Sequence, residues 1–295
     1  MIKFSILIPI HNRLQTTKQG LKSLYAALNE YEVNGNSKCK FEIIVIDDGS
    51  KDGSSEWIAG NYPAVHLLKG DGNLWWSGAI NKGAGYAVET LNSDYLLLWN
   101  DDIFPDAHFF TRAAEIFCNL PFEDAVIGSR IMHKDSENKT WSVGGYFNKL
   151  TGDHGLYRDP EIVSNDFFEC DWQPGMGTFV PTSIIKEHGL SWDENRFPQY
   201  HGDSDFTLRC KEKGIKVATC LTLVIYNHAE AYKFGKTNSF KDLWVSLIAK
   251  RSNYNFGMRF SFYKKHGISP FVYWGLLKTY FIYIGSFLKN KIIRS

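Results

Sequence analysis

Three acidic edges punctuate the chain: Asp47-Asp48, Asp101-Asp102 and Asp203-Ser204-Asp205. Adjacent carboxylates repel one another unless a cation or a hydrogen-bond network offsets their charge. A divalent metal does so, and a metal held beside a sheet edge suits the handling of phosphate. The third edge follows an aromatic stretch and a glycine, where a carboxylate can act as a general base within reach of a nucleophile. Each edge also has a plain structural reading. Asn and Asp are common in the turn after a strand. Asp48 or Ser50 can cap the next helix, and the acids of Gly202–Arg209 suit the positive end of a helix dipole.

The elements that position these acids are legible in the hydrophobic pattern. Tyr95-Leu96-Leu97-Leu98-Trp99 is a continuous apolar run that stops at Asn100. Such a run reads as a strand buried on both faces of a covered, largely parallel sheet. Open α/β sheets bind ligands at the C-terminal edge of such strands. The pattern predicts strands at Phe4–Pro9, Phe41–Ile46, Ala64–Leu68 and Leu96–Trp99, with helices at Leu14–Tyr31, Ser54–Ala59 and Ala79–Leu91. Leu14, Leu21, Leu24, Tyr25 and Leu28 share one face of the first helix, and Asn34–Ser37 reads as a loop. This alternation predicts right-handed crossovers.

After Ile103 the pattern loosens. Shorter strands are expected at Ala125–Gly128, Thr140–Gly144 and Phe167–Trp172, and one or two within Val217–Tyr226. Helices are expected at Pro181–His188, Ser204–Lys213 (closed by Gly214), Phe240–Tyr263 and Phe271–Ile293. The chain thus divides into a first unit, 1–235, and a C-terminal helical extension, 236–295.

The 295 residues, 44 % apolar and 22 % charged, can bury a substantial core and exclude a disordered chain. The net charge of +1 hides an asymmetry: Leu243–Ser295 holds nine Lys or Arg and no Asp or Glu, which leaves −8 on the rest. A basic, aromatic tail suits anionic lipid better than nucleic acid. Its run Phe271–Leu288 is 18 residues long and interrupted by Lys278. Followed by Lys289, Lys291 and Arg294, it reads as interfacial rather than spanning, with packing on the domain or in a homodimer as the alternative. The five scattered cysteines contain no CxxC, so the expectation is a reducing cytoplasm with no zinc ribbon, no disulfide framework and no secretory signal.

The chain has no GxxxxGK[ST] loop, no GxGxxG after the first strand, no GxSxG and no HExxH. What remains resembles family 2 glycosyltransferases of the GT-A fold. Ser5–Arg13 and Ile44–Gly53 are similar to that family's opening. Asn100-Asp101-Asp102 falls at its DxD-type metal motif. Gly202–Phe206, with Arg209 and Gly214, is similar to its later ED-type motif. Gly70–Gly83 resembles the branch that contains bacterial rhamnosyltransferases. The resemblance runs from residue 4 to about 230 and implies a GT-A (Rossmann-like), mostly parallel sheet flanked by helices.

It also implies roles. Pro9, His11, Asn12 and Arg13 would line the nucleotide pocket, and Asp48 would meet the uracil or thymine edge. Asn73, Gly78 and Asn81 would contact ribose, diphosphate or sugar, with Asp101 near the hydroxyls. Asp102, joined by His228, would hold Mg²⁺ or Mn²⁺. Asp203 would be the catalytic base, with Asp205 as its substitute. Two departures stand out: Gly202-Asp203 replaces Glu-Asp, and Asn100 replaces the first acid of the metal motif.

The implied activity is inverting transfer of a hexose, rhamnose from dTDP-rhamnose being the first candidate, to a glycan or lipid-linked acceptor in cell-surface polysaccharide synthesis. The donor would be a UDP- or dTDP-sugar, and the setting the cytoplasm or the inner face of the cytoplasmic membrane. The alternatives are a nucleotidyltransferase, which His11-Asn12-Arg13 does not suit, and a non-catalytic nucleotide-sugar or glycan binder on the same fold. Gly175–Phe179 brings backbone near the donor or acceptor, or simply turns into a strand. Trp172, Trp192 and Tyr200 stack on acceptor sugars or pack in the core.

Overall fold

A computed structural model describes residues 1–33, 38–119, 125–134, 139–158, 166–227 and 239–294. In order come β1 (Ile2–Ile10), α1 (Leu14–Val33), β2 (Cys39–Asp47), α2 (Ser54–Asn61), β3 (His66–Lys69), α3 (Trp75–Glu89) and β4 (Tyr95–Leu98). They continue with β5 (Ile103–Pro105), α4 (Phe109–Asn119), β6 (Ala125–His133), β7 (Thr140–Ser142), β8 (Gly145–Phe147), β9 (His154–Leu156), β10 (Phe167–Glu169) and β11 (Thr178–Pro181). Then follow α5 (Ser183–Lys186), α6 (Gly202–Glu212), β12 (Lys216–Asn227), α7 (Phe240–Ile248), α8 (Phe256–His266), a 3₁₀ turn (Pro270–Val272) and α9 (Tyr273–Arg294).

The main sheet runs β10-β12-β6-β11-β4-β1-β2-β3. β1 lies parallel to both β2 and β4, and β2 parallel to β3, so the chain winds both ways from β1. That reversal opens a crevice at the C-terminal ends of β1, β2 and β4, where such sheets take ligands. β6 and β12 are also parallel. β11 joins the two parallel parts by pairing antiparallel to β4 and β6.

Apolar side chains fill both faces of the sheet. One face packs Leu21, Leu24 and Leu28 of α1 and Phe110 and Phe117 of α4 against Ile6, Val45 and Leu97. The other packs Ala79, Ile80 and Ala84 of α3 and Phe206 of α6 against Leu7, Ile44 and Leu98. A third core joins Phe147 and Trp172 to Phe262, Tyr263, Leu276 and Tyr280, which anchors the C-terminal helices to the first unit.

Several boundaries differ from the sequence expectation. The helix expected at Pro181–His188 shrinks to α5, because Thr178–Pro181 is wholly buried as β11 between β4 and β6. Pro181 tolerates this because it ends the strand, where a missing N–H costs little. The helix expected at Phe240–Tyr263 is two, α7 and α8. Asn255 breaks it: its Oδ1 accepts from Met258 N at 2.9 Å, and its Nδ2 donates to Ile248 O at 2.7 Å. α4 and β5 lie where a loosened pattern was expected, although Phe109, Phe110, Ala113, Ala114 and Phe117 carry helical spacing. Asn34–Ser37 and the 235/236 division lie outside the described residues.

Candidate active site

The first strand delivers a short connection, His11–Arg13, directly from its buried end. Asn12 adopts φ 51°, and its backbone N–H donates to Ser50 Oγ at 2.8 Å while its Oδ1 accepts from Lys51 N at 2.8 Å. His11 Nδ1–H donates to Asp48 O at 2.6 Å, which leaves Nε2 to accept from Asn12 Nδ2 at 2.9 Å. The ends of β1 and β2 are therefore tied into one rim. Pro9 lies half-buried in β1, beside Ile46.

Asp48 is almost wholly buried, and backbone N–H groups occupy both its oxygens. Oδ1 accepts from Gly72 N at 2.8 Å and Leu74 N at 3.2 Å; Oδ2 accepts from Trp75 N at 3.0 Å. This carboxylate holds the loop that starts α3, whose first residue, Trp75, sits at φ 57°. The Asp48 carboxylate therefore shapes the loop that leads into α3. Asp47 is likewise taken up locally, by Ser50 N at 2.8 Å and by the Ser55 hydroxyl.

At the end of β4 the predicted acid pair is present, and its offsetting cation is Arg13. Arg13 Nη1 lies 3.1 Å from Asp101 Oδ1, and Nη2 lies 2.8 Å from Asp102 Oδ2. Thr17 Oγ1 donates to Asp101 Oδ2 at 2.9 Å from one turn further along α1. Gly20 lets that helix approach, since a Cβ there would drive into the Asp101 carbonyl. Burial pushes the Asp101 carboxyl up to about 6; Arg13 opposes the shift, and Asp102 adds to it. Asp102 Oδ1 is buried with no hydrogen-bond partner among the described residues, so this edge keeps one carboxylate oxygen in reserve. A reserved oxygen fits a metal ligand. Among the described residues no group of three His, Cys, Asp or Glu could hold a metal, and His228 lies outside them.

The third edge splits. Asp203 is half-buried; its Oδ2 accepts from Gly175 N at 2.9 Å and its Oδ1 from Ser204 N at 2.8 Å. Burial raises its carboxyl above the usual value, against the pull of those N–H groups. Asp205, fully buried, points elsewhere. Its Oδ2 meets Arg209 Nε at 2.9 Å, and its Oδ1 meets Lys265 Nζ at 2.7 Å and His266 Nε2 at 2.9 Å. Burial alone would raise its carboxyl, but the His266 hydrogen bond and the charges of Arg209 and Lys265 hold it low. Both Asp205 oxygens are thus engaged in a clamp between α6 and α8.

One residue that the sequence reading passed over joins the edges. Trp76 Nε1 donates to Asn100 Oδ1 at 3.2 Å, and the Trp76 ring lies where a Cβ on Gly175 would have to go. Trp76 directly follows the Asp48-capped Trp75, and Gly175 donates to Asp203. Asp48, Asn100–Asp102 and Asp203 thus belong to one contiguous set of contacts around Trp76. The only signal in sequence was an aromatic inside the Gly70–Gly83 motif.

The remaining predicted residues divide. Asn73 is exposed on the same loop, its N–H donating to Asp71 Oδ1 at 2.9 Å. Gly78 is buried in α3, with Glu194 Oε2 beside the space a Cβ would fill. Asn81 is occupied. Its Oδ1 accepts from Trp192 N at 2.9 Å, and its Nδ2 donates to Trp192 O at 2.8 Å and Glu194 Oε2 at 2.7 Å. It pins the 192–194 loop to α3. Trp172 and Trp192 are core residues, the latter stacked on Phe206 at 4.0 Å, while Tyr200 is half-buried.

Known proteins share this architecture. The S. aureus TarS fragment 1–349 aligns with a TM-score of 0.52 and 16 % identity, covering 77 % of this chain and 60 % of that one. The same fragment in complex with UDP-GlcNAc aligns with a TM-score of 0.54 and 15 % identity, covering 85 % of this chain and 66 % of that one. These likenesses establish the GT-A fold. The low-salt glycan biosynthesis hexosyltransferase Agl10 of Haloferax volcanii is 20 % identical over 208 residues, 69 % of this chain. The chain spans 61 % of that protein's length. The family model for Glycosyl transferase family 2 matches residues 5–172, more than half of the sequence, and the chain belongs to that family.

Proposed function

We propose that this protein is an inverting glycosyltransferase that moves a hexose from a UDP- or dTDP-sugar to a hydroxyl of a glycan or lipid-linked acceptor. The observation that carries this reading is the continuity of Asp48, Asn100–Asp102 and Asp203 around Trp76 at the C-terminal edge of the sheet. Further support comes from similar proteins: a solved TarS fragment holds UDP-GlcNAc, and Agl10 is described as a hexosyltransferase of glycan biosynthesis. Rhamnose as the donor sugar rests on the Gly70–Gly83 resemblance, and cell-surface polysaccharide is the matching destination.

The chemistry assigned to each residue follows from its surroundings. Asp203 is positioned by two N–H groups, and its raised basicity suits removal of a proton from the acceptor hydroxyl. The freed acceptor oxygen bonds to the anomeric carbon as the bond from that carbon to the diphosphate oxygen breaks. The electron pair leaves with the nucleoside diphosphate, and the proton stays on Asp203. A single displacement needs no covalent carboxylate intermediate and inverts the anomeric centre. Asp102, through its reserved Oδ1, and His228 would hold Mg²⁺ or Mn²⁺, which when bound neutralises charge on the leaving diphosphate. Arg13 places a positive charge between Asp101 and Asp102, which offsets the repulsion of the adjacent carboxyl groups.

A panel of UDP- and dTDP-sugars with Mn²⁺, followed by calorimetry and by release of the nucleoside diphosphate, tests the proposal. Donor binding with turnover that disappears in Asp203→Asn supports it. Donor binding with no turnover for any acceptor class would reassign the protein as a nucleotide-sugar binder.

A further inference from the structure

The C-terminal helices bury one side and leave the other uncovered. Leu276, Tyr280 and Phe287 of α9 face the protein, with Tyr283 stacked on Tyr254 at 3.6 Å. On the opposite side Trp274, Leu277, Phe281, Leu288 and Ile292 recur at helical spacing, all exposed, Trp274 at 72 % and Phe281 at 74 %. A helix apolar all round must be covered on both sides. Exposed Phe256 and Phe260 of α8 lie against Tyr280 and Tyr273 of α9. On α7, Trp244 and Ile248 are exposed as well. Large apolar side chains exposed on all three helices mark an interaction site.

Charge identifies the occupant. Exposed Lys289 and Lys291 flank the α9 stripe, Lys278 lies 3.5 Å from Asp153, and no Asp or Glu occurs from Leu243 to Ser295. A second copy of this helix would bring lysines together with no acid of the helix to pair them. An anionic bilayer supplies both the apolar phase and the counter-charge. The platform also touches the candidate active site. Between α7 and α8, exposed Lys250 and Arg251 lie 5.5 Å and 5.7 Å from the Trp75 ring centroid, and Trp75 opens the loop held by Asp48.

We propose that α7, α8 and α9 form a docking platform for an anionic lipid bilayer, with Lys250 and Arg251 bringing the loop that Asp48 holds to the lipid surface. The acceptor then belongs to the class of glycans carried on membrane lipids, a conclusion that rests on the glycosyltransferase reading. The lysines attract the surface, the aromatic stripe enters it, and the site stays at the headgroup level.

The test is co-sedimentation of the full chain with vesicles of phosphatidylcholine alone or with about one third phosphatidylglycerol. Wild type should sediment with the anionic vesicles and far less with the neutral ones. The pair Trp274→Ser/Phe281→Ser should weaken that binding about tenfold, and Lys289→Glu/Lys291→Glu by a similar factor. UDP titration of the same proteins should be unchanged. Failure of wild type to bind any vesicle, or variants that bind as well as wild type, overturns the platform. So does a wild-type dimer that Phe281→Ser dissociates without any vesicle binding. Vesicle binding without UDP binding would instead remove the glycosyltransferase reading and leave the platform standing.

Discussion

Asp102 and Asp205 are both buried acids facing arginine, yet they serve opposite ends. Asp205 has each oxygen matched by cations from its own helix and from α8, so its charge is spent on holding two elements together. Asp102 shares a single arginine with Asp101 and keeps one buried oxygen without a partner. Burying an unpaired carboxylate oxygen costs stability that a purely structural acid would not carry. The difference teaches where to look for chemistry: the under-satisfied acid sits at the sheet's C-terminal edge, and the fully satisfied one clamps α6 to α8.

That contrast can be broken most directly at Asp205. Asp205→Ala leaves Lys265, Arg209 and His266 without their shared counter-charge and should cost about 3 kcal/mol in urea unfolding. Because this carboxyl is held low, its contribution is complete above 3.8, the unfolded value, and is lost as pH falls through the lower folded value. Wild type should therefore lose stability in acid by a step that the variant lacks. A variant as stable as wild type at neutral pH would make the clamp ornamental.

At Asp203 the expected effect is on turnover. Asp203→Asn should lower kcat by about 10²-fold with UDP affinity unchanged. Retained turnover would send the search for a base elsewhere. Asp102→Ala should weaken nucleotide binding about tenfold with Mn²⁺ present and little with a chelator. Equal weakening in both conditions would detach Asp102 from any cation. The smallest effect is on the pH profile. The Asp203 carboxyl is raised above 3.8, so kcat/KM should fall as the solution is acidified through that raised value. An acid limb at or below 3.8 would show that burial does not tune this group.

Legibility followed locality. β1, β2 and β4 were readable because strands buried on both faces leave continuous apolar runs, and the acids that end them come directly after. Asn100–Asp102 could be marked for the same reason, whereas His11–Arg13 was marked by the family resemblance. β11 was readable only as one of two alternatives for Gly175–Phe179, because a four-residue strand that ends in Pro181 is too short to leave a pattern. The role of Asn81 was hidden too, since its partners Trp192 and Glu194 lie more than a hundred residues on.

What the amino-acid order determined by itself is the parallel α/β core, its acidic strand ends and the basic, aromatic tail, because periodicity, motif and charge are properties of neighbouring residues. What only the folded chain decided is which acid is paired with cations and which is held by backbone N–H groups. Asp203 and Asp205 sit two positions apart on one helix and are alike in sequence. Helical geometry sends one toward Gly175 and the sheet edge, and the other toward Lys265 and His266, the latter 61 positions later. Long-range pairing of this kind depends on packing between elements, and no local pattern encodes it.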